Sequence, residues 1–159
     1  MLAVALVAGS VAWLVRSDRA DARGYLDDPD VTSAVSRACG LMTSSVSGLR
    51  VAGPRRLQEA VLDDQTLAIG EMIEQIEELG PQALAADRPL EAWLADWQRL
   101  ADAREEWSER VGDGSDEPLP VPRDDDGAPI TERMDRAADG WCDVPEVLLD
   151  PRAGEDIDV

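Results

Sequence analysis

One amphipathic segment, residues 87–112, constrains the fold of this chain more than any other stretch. Its sequence is DRPLEAWLADWQRLADAREEWSERVG. Its apolar side chains recur every three or four residues, so at 100° per residue they lie on one stripe of an α-helix. Asp87 suits the N-cap, Pro89 the first turn and Gly112 the C-terminal stop. The stripe comprises Leu90, Trp93, Leu94, Trp97, Leu100, Ala101, Trp107 and Val111.

The three tryptophans of this stripe carry a large apolar area that must be covered. The simplest explanation is the core of a helical bundle, because an apolar stripe is the side that a helix turns toward its core. A partner-binding groove and a sugar-stacking surface are the alternatives. Arg104 interrupts the stripe, either stacked on an indole with its head in water or in a buried ion pair with a carboxylate of another helix. The candidate core or partner-binding residues are Trp93, Trp97, Arg104, Trp107 and the later Trp141.

Two longer helices are predicted before the central one. Asp30 is a candidate N-cap for a helix over residues 31–49, and a second helix covers residues 55–79 before Gly80 and Pro81 stop it. The many carboxylates of the second helix lie opposite its apolar arc. A dinuclear metal site in a bundle would pair inward-facing Glu with His, and the chain has no His. The pattern therefore favours a solvated face, and no metal ligands are predicted.

The predicted fold is all-α, with an N-terminal membrane anchor helix followed by a small three- to four-helix bundle. Residues 82–86 connect the second helix to the central one. Residues 111–129 are rich in Gly, Pro and acidic residues without periodicity, which predicts a flexible acidic linker. Thr131 is the predicted N-cap of a short last helix. The acidic run at residues 124–127 lacks the alternation that a calcium-binding loop requires.

An uncharged apolar run at residues 2–15, LAVALVAGSVAWLV, opens the chain. It is shorter than the roughly 20 residues that cross a bilayer, and the length also fits a signal-peptide core or a buried helix. We favour a short membrane anchor that places the lipid bilayer among the partners. The expected organisation is an anchor and flank at 1–23, a helical extracytoplasmic domain at 24–149 and a disordered acidic tail at 150–159.

The orientation of the anchor is a conflict between two signals. Arg16, Arg19 and Arg23 follow the apolar run, and the positive-inside rule alone would keep the body in the cytoplasm. Long domains, however, translocate largely regardless of charge, and two cysteines suit an oxidising compartment. We therefore expect a single-pass protein with its body on the extracytoplasmic side.

Cys39 and Cys142 are the two cysteines of the chain. They form no zinc set, and without His no Cys-His catalytic pair can exist. An even pair in an exported domain predicts a disulfide that clamps the C-terminal segment onto the first soluble helix. Two buried thiols in a cytosolic protein are the alternative.

Composition excludes several classes of function. The formal net charge is −19, every basic residue is Arg, and nucleic acid binding would need clustered basic residues instead. The absence of His removes the usual general base and the commonest metal ligand. No catalytic set, phosphate loop or cofactor motif is recognisable, so no catalytic or cofactor-binding residues are predicted.

Three stretches together resemble a pattern found in small, uncharacterised actinobacterial proteins that are membrane-anchored and exported. They are the early helix with Cys39, ADRPLEAWLADWQRLADARE at residues 86–105 and GAPITERMDRAADGWCDVP at residues 127–145. The absence of Lys and Asn also suits a GC-rich genome. The resemblance implies location and helical architecture, and it supplies no reaction, cofactor or catalytic residue.

The leading functional expectation is a non-enzymatic, membrane-tethered extracytoplasmic domain that serves as a partner-binding accessory subunit of a membrane or envelope complex. One alternative is a carboxylate-based hydrolase or carbohydrate-active protein, which needs one carboxyl with a raised pKa near a second that stays ionised. Asp96, beside Trp97, is the first carboxylate to test for that role. Another alternative is a helical envelope sensor or ligand-binding module.

Overall fold

The computed structural model describes residues 24–151, and every regular element in that range is helical. The all-α prediction is therefore confirmed at the level of a small helical bundle. An isolated antiparallel bridge between Arg123 and Pro129 is the one β-type pairing among the described residues. The helices of this range are α1 (Pro29–Ser47), α2 (Arg55–Glu77), α3 (Pro81–Ala86), α4 (Arg88–Gly112), α5 (Ile130–Ala138) and α6 (Glu146–Leu149).

The predicted anchor and most of the predicted tail lie at the two ends of the chain, beyond residues 24–151. The predicted anchor at residues 2–15 lies outside the described residues. Within residues 24–151, no helix combines the length and the apolar character that a bilayer crossing requires. Residues 152–159 of the predicted tail also lie outside. Its first two residues are held in place: the N–H of Asp150 donates to the carbonyl of Glu146 at 2.8 Å, and Pro151 is buried.

Two helix starts lie two residues before the predicted positions. Asp28, not Asp30, caps α1: its Oδ1 accepts the backbone N–H groups of Asp30 at 2.9 Å and Val31 at 3.1 Å. The proline after Asp28 has the φ that a first helical turn requires. Helix α5 begins at Ile130, and the side chain of Thr131 is buried in the first turn instead of capping it.

Helices α2 and α4 are the antiparallel centre of the fold, and the short α3 occupies the predicted connection between them. Helix α1 packs against α2, and α5 packs against α4. Burial follows the predicted stripes, because the residues enclosed between these helices recur at helical spacing. Leu57 is an exception, since helical spacing places it with the apolar residues of α2 but it is 58% exposed. Fully enclosed core residues include Val35, Val46, Leu62, Ile69, Ile76, Leu100 and Met134.

The predicted flexible linker is packed onto the bundle. Residues 113–129 form no helix, as their composition predicts, but they contact α4 and the core. The indole N–H of Trp107 donates to the carbonyl of Glu117 at 2.8 Å, and Leu119 is 7% exposed. Arg55 and Arg99 also hold the segment, because Nη1 of Arg55 donates to the carbonyl of Ser115 at 3.0 Å and Nη2 of Arg99 donates to that of Arg123 at 2.7 Å. Composition alone does not register those contacts.

The chain reverses direction after α5. Asp139 adopts the left-handed conformation, with a φ of 46°, and Gly140 follows with a φ of 81°. Aspartate is one of the few non-glycine residues that visit this region readily. Oδ1 of Asp135 then accepts the backbone N–H of Val144 at 2.8 Å, so the last turn of α5 holds the segment that leads to α6.

Candidate functional site

The three tryptophans of the α4 stripe are core residues. Trp93, Trp97 and Trp107 are 2%, 0% and 3% exposed. Trp93 and Trp97 meet edge to face with ring centroids 5.9 Å apart, a favoured aromatic geometry. The indole N–H of Trp93 donates to the carbonyl of Met134 at 3.1 Å, which attaches α5 to α4. Their burial excludes the sugar-stacking surface that the stripe alone left open.

Arg104 is enclosed in the core without a carboxylate. Its side chain is 0% exposed, its Nη2 donates to Oε1 of Gln65 at 2.6 Å, and its Nη1 donates to the carbonyl of Leu148. Its Nε has no hydrogen-bond partner. Burial lowers the pKa of Arg104 from its ordinary value to about 10. Both predicted environments, a head group in water and a buried ion pair, are therefore wrong.

Gln65 links Arg104 to the residues that follow α1. While its Oε1 accepts from Arg104, its Nε2 donates to the carbonyl of Leu49 at 3.2 Å. The two side chains thus connect the end of α1, the middle of α2, α4 and the C-terminal α6. An arginine suits this position because one guanidinium supplies several donors in fixed directions. Arg104 is consequently a structural residue of the core.

Asp96 is also occupied by structural contacts. The guanidinium of Arg133 binds it in a bidentate manner, with Nε 2.8 Å from Oδ2 and Nη2 2.7 Å from Oδ1, and Nη1 of Arg99 lies 3.3 Å from Oδ1. Asp96 is 2% exposed. Bidentate pairs of this kind are strong and directional. Both oxygens are therefore engaged, and α5 is held against α4 by this pair.

The cavity beside Asp96 does not contain a two-carboxylate site. It has a volume of about 310 Å³ and is lined by Trp93, Asp96 and Arg133 together with residues of α4, α5 and the start of the described chain. Asp96 is the single carboxylate among its described lining residues. Glycoside hydrolysis of the usual kind needs a pair of carboxyl groups on opposite sides of the scissile bond. The residue that the hydrolase alternative placed first has no facing partner here.

Asp87 occupies the predicted N-cap position of α4, but its side chain makes no cap hydrogen bond to that helix. Its Oδ2 accepts the backbone N–H groups of Asp27 and Asp28 at 3.3 Å each, and its buried Oδ1 has no hydrogen-bond partner. Burial raises the pKa of Asp87 above its ordinary value of 3.8, although the two N–H bonds oppose that effect. The predicted cap residue therefore fastens the segment before α1 to the beginning of α4.

The predicted disulfide is present. Cys39 and Cys142 are bonded, with their Cα atoms 5.6 Å apart across a sequence separation of 103 residues. The two residues are 3% and 4% exposed. Their bond joins the middle of α1 to the segment between α5 and α6, as predicted for a clamp of the C-terminal segment.

Trp141 differs from the other predicted aromatic candidates. It precedes the bonded Cys142 but is 55% exposed, so it contributes little to the apolar contact that docks the C-terminal segment. That contact comes from Leu148, which is 0% exposed. Trp141 therefore lies on the surface, on the clamp side of the molecule.

The acidic residues form no metal site among residues 24–151, where no group of three or more His, Cys, Asp or Glu side chains is arranged to hold an ion. The acidic run after residue 123 is a closed turn. Oδ1 of Asp124 accepts the N–H groups of Asp126 at 3.1 Å and Ala128 at 2.9 Å. The carboxylate that begins the run is thus used to hold its own backbone.

An open groove runs along the solvent side of the α2–α4 pair. It consists of two adjoining cavities of about 440 and 310 Å³ that share Gln98 in their lining. Helix α3 closes one end, and no residue of α1 or α5 lines either cavity. We call this surface the α2–α4 groove. Its lining residues are Asp63, Thr66, Leu67, Gly70, Ile73, Glu77, Pro81, Leu84, Ala85, Glu91, Leu94, Ala95, Gln98, Ala101, Asp102 and Glu105.

The α2–α4 groove has an apolar floor and acidic walls. Leu67, on the floor, is 61% exposed, the most exposed large apolar side chain of the described residues. Five carboxylates and no arginine line the groove, and none of the five forms an ion pair with an arginine of the described residues. The walls consist of Asp63, Glu77, Glu91, Asp102 and Glu105.

Comparison of the chain with protein-family models, with curated proteins and with solved structures found no match. The resemblance to actinobacterial membrane-anchored proteins therefore stays a prediction.

The sequence analysis did not identify the α2–α4 groove. Its signals were an apolar residue, Leu67, within the acidic face of α2 and a glycine, Gly70, one turn later in the same helix. Glycine in a helix interior is unfavourable compared with alanine. The partnership of Gln65 with Arg104 was also missed, because a lone glutamine on an apolar arc identifies no partner by itself.

Proposed function

We propose that this chain is a non-enzymatic, membrane-tethered extracytoplasmic helical domain that acts by binding a protein partner, as an accessory subunit of a membrane or envelope complex. The α2–α4 groove is the observation that carries the proposal. It leaves Leu67 exposed in an open groove between two helices, and exposed apolar surface of this kind is typical of interaction sites. Its described lining contains no arginine–carboxylate pair like the one between Asp96 and Arg133, which holds the other side of α4.

The remaining features support this proposal in two ways. The side chains that sequence chemistry singled out, Arg104 and Asp96, are engaged in contacts that hold the helices together. The disulfide between Cys39 and Cys142 suits an oxidising compartment, since such bonds persist outside the cytosol. The tether itself depends on the apolar run at residues 2–15, which remains a sequence prediction.

Site-specific photo-crosslinking in intact cells tests the proposal. A photoreactive residue would replace Leu67, in the groove, and in a matched chain Leu57, which lies on the same helix outside the groove. The two leucines are 61% and 58% exposed, so they differ in location more than in accessibility. We expect a reproducible protein adduct in the membrane fraction from position 67 and none from position 57. Monomer alone from both positions would contradict the proposal.

A further inference from the structure

We propose that the α2–α4 groove receives one amphipathic α-helix of a partner protein, with an apolar stripe flanked on both sides by Arg or Lys. This proposal rests on the proposed function and identifies the chemistry of the partner. Helix-in-groove recognition of this kind places the apolar face of a helix on an apolar floor between two supporting elements. Here the supporting elements are α2 and α4.

The dimensions of the groove fit a helix of about four turns. It extends from Asp63 to Glu77 along α2 and from Glu91 to Glu105 along α4. Each stretch advances about 14 residues, or roughly 21 Å at the helical rise. The antiparallel pair therefore presents an elongated groove whose length matches that of a short helix.

The groove is lined by small residues at the point where the backbone of a docked helix would have to come close to α2 and α4. Gly70 has no side chain, and a Cβ atom built at this position would meet nothing within 4 Å. Across the groove, Ala95 is small and exposed. Small residues at a helix crossing let two backbones come close. Leu67, which is 61% exposed, provides apolar contact beside that low point, and Leu94 in the lining is 7% exposed.

Charge decides between the possible occupants. The walls carry carboxylates on both helices and no compensating arginine, so a segment with cations on both flanks would be complementary to both walls. A second copy of this chain would bring the same acidic walls together, and its formal net charge of −19 adds repulsion. An anionic lipid surface would also be repelled. A cationic helix is the occupant that matches both the apolar floor and the walls.

A peptide-binding experiment on the purified full chain tests this inference. The probe is a fluorescent synthetic helix of about 18 residues with Leu and Ala on one face and Arg on both flanks. Its control has Glu at every Arg position. The blocking variant is Gly70→Leu, and its matched control is Gly40→Leu on α1, where an added Cβ also meets nothing within 4 Å. Leucine is favoured over glycine within a helix, so both variants should fold.

We expect Gly70→Leu to weaken binding of the cationic helix at least about tenfold, or 1.4 kcal/mol, and Gly40→Leu to leave it unchanged. Raising the salt concentration from about 0.05 to 0.5 M should also weaken binding of the cationic helix to the unsubstituted chain, because salt screens charges on the solvent-exposed walls. Glu77→Gln with Glu91→Gln should reduce that salt dependence.

Several results would overturn the inference. They are no binding of the cationic helix, equal binding of the Glu control peptide, or equal weakening by both glycine variants. Self-association that Gly70→Leu abolishes would assign the groove to a second copy. An internal crosslink from position 67 to residues 1–23 would assign it to the chain's own N-terminal segment. These measurements use the purified chain, so they succeed or fail independently of crosslinking in cells, which tests the proposed function itself.

Discussion

The two sides of helix α4 are built in opposite ways. The inner side encloses Trp97 and Arg104 completely, and hydrogen bonds or a disulfide tie its neighbours together. The outer side faces the α2–α4 groove with Ala95, Gln98 and carboxylates that form no ion pair with an arginine of the described residues. The backbone of α4 is a single continuous helix from Arg88 to Gly112. The difference therefore reflects what each side contacts.

This contrast assigns stability to the inner side of α4 and recognition to its outer side. Residues of the inner side contribute to folding through burial and through polar groups that have few alternatives in the core. Residues of the outer side are partly solvated, so most changes there should alter stability little. Substitutions on the two sides can be paired to test whether the separation is real.

Removal of the disulfide should have the largest effect. Replacing Cys39 and Cys142 together by Ser releases a closure of 103 residues, which the chain-entropy relation values at roughly 4–5 kcal/mol. Hydrogen exchange should accelerate most in residues 139–151, while the α2 and α4 amides beside the groove keep their relative protection. Chemical denaturation measures the loss. Equal acceleration in α2, α4 and the C-terminal segment would show that the clamp is not local.

Truncation of a core indole should cost nearly as much. Trp97→Ala is expected to lower the free energy of unfolding by about 3–5 kcal/mol, because it leaves a large cavity in a fully enclosed site. Leu67→Ala, on the exposed floor of the groove, should change it by less than about 0.5 kcal/mol. Urea denaturation of both variants makes the comparison. A similar loss from Leu67→Ala would mean that the groove belongs to the core.

Paired glutamines test the polar part of the contrast. Gln65→Leu should destabilise by about 2–3 kcal/mol, because the buried guanidinium of Arg104 loses an acceptor. Gln98→Leu, an exposed position in the groove, should fall within about 0.5 kcal/mol of the parent. Adding Arg104→Met to Gln65→Leu should recover part of the loss, since the unpaired charge is then removed. A purely additive double variant would disprove the coupling.

The smallest effect is a pH dependence at Asp87. Burial raises the pKa of Asp87 above 3.8, so the folded state holds this proton more tightly than the unfolded state. The contribution of the protonated Asp87 carboxyl to the free energy of unfolding is fully present below pH 3.8. It is lost as the pH rises through the pKa of Asp87 in the folded state. Asp87→Asn should therefore gain stability relative to the parent between about pH 4 and 7. Denaturation at several pH values measures the difference, and a constant difference would contradict the assignment.

Much of the inner side could be predicted from sequence because it depends on periodicity. The α4 stripe, its boundaries and the bonded cysteines follow from spacing and parity, and the structure confirms each of them. The partners of Arg104 could not be predicted, since neutral acceptors leave no charge pattern in the sequence. The anchoring of residues 113–129 by Leu119 was missed because Pro and acidic residues dominate the composition there.

The outer side could not be predicted for a different reason. A groove forms where the sides of two packed helices are left uncovered by other elements. The apolar spacing of a single helix cannot show this, because it assigns every residue outside the apolar stripe to solvent. Leu67 and Gly70 stood out only as departures from an acidic face. Trp141 was a candidate for either the core or partner binding. Its 55% exposure removes the core interpretation, and partner binding by Trp141 stays a prediction.

Thiol labelling in intact cells tests most directly whether the groove is an occupied, extracytoplasmic binding surface. Leu67→Cys and Leu57→Cys would each be treated with a membrane-impermeant maleimide, with the native cysteines held in their disulfide. We expect position 57 to react in intact cells and position 67 to be protected until the chain is purified away from its partner. Equal reaction at both positions in intact cells would contradict the occupied groove, and reaction of both only after lysis would contradict the extracytoplasmic location.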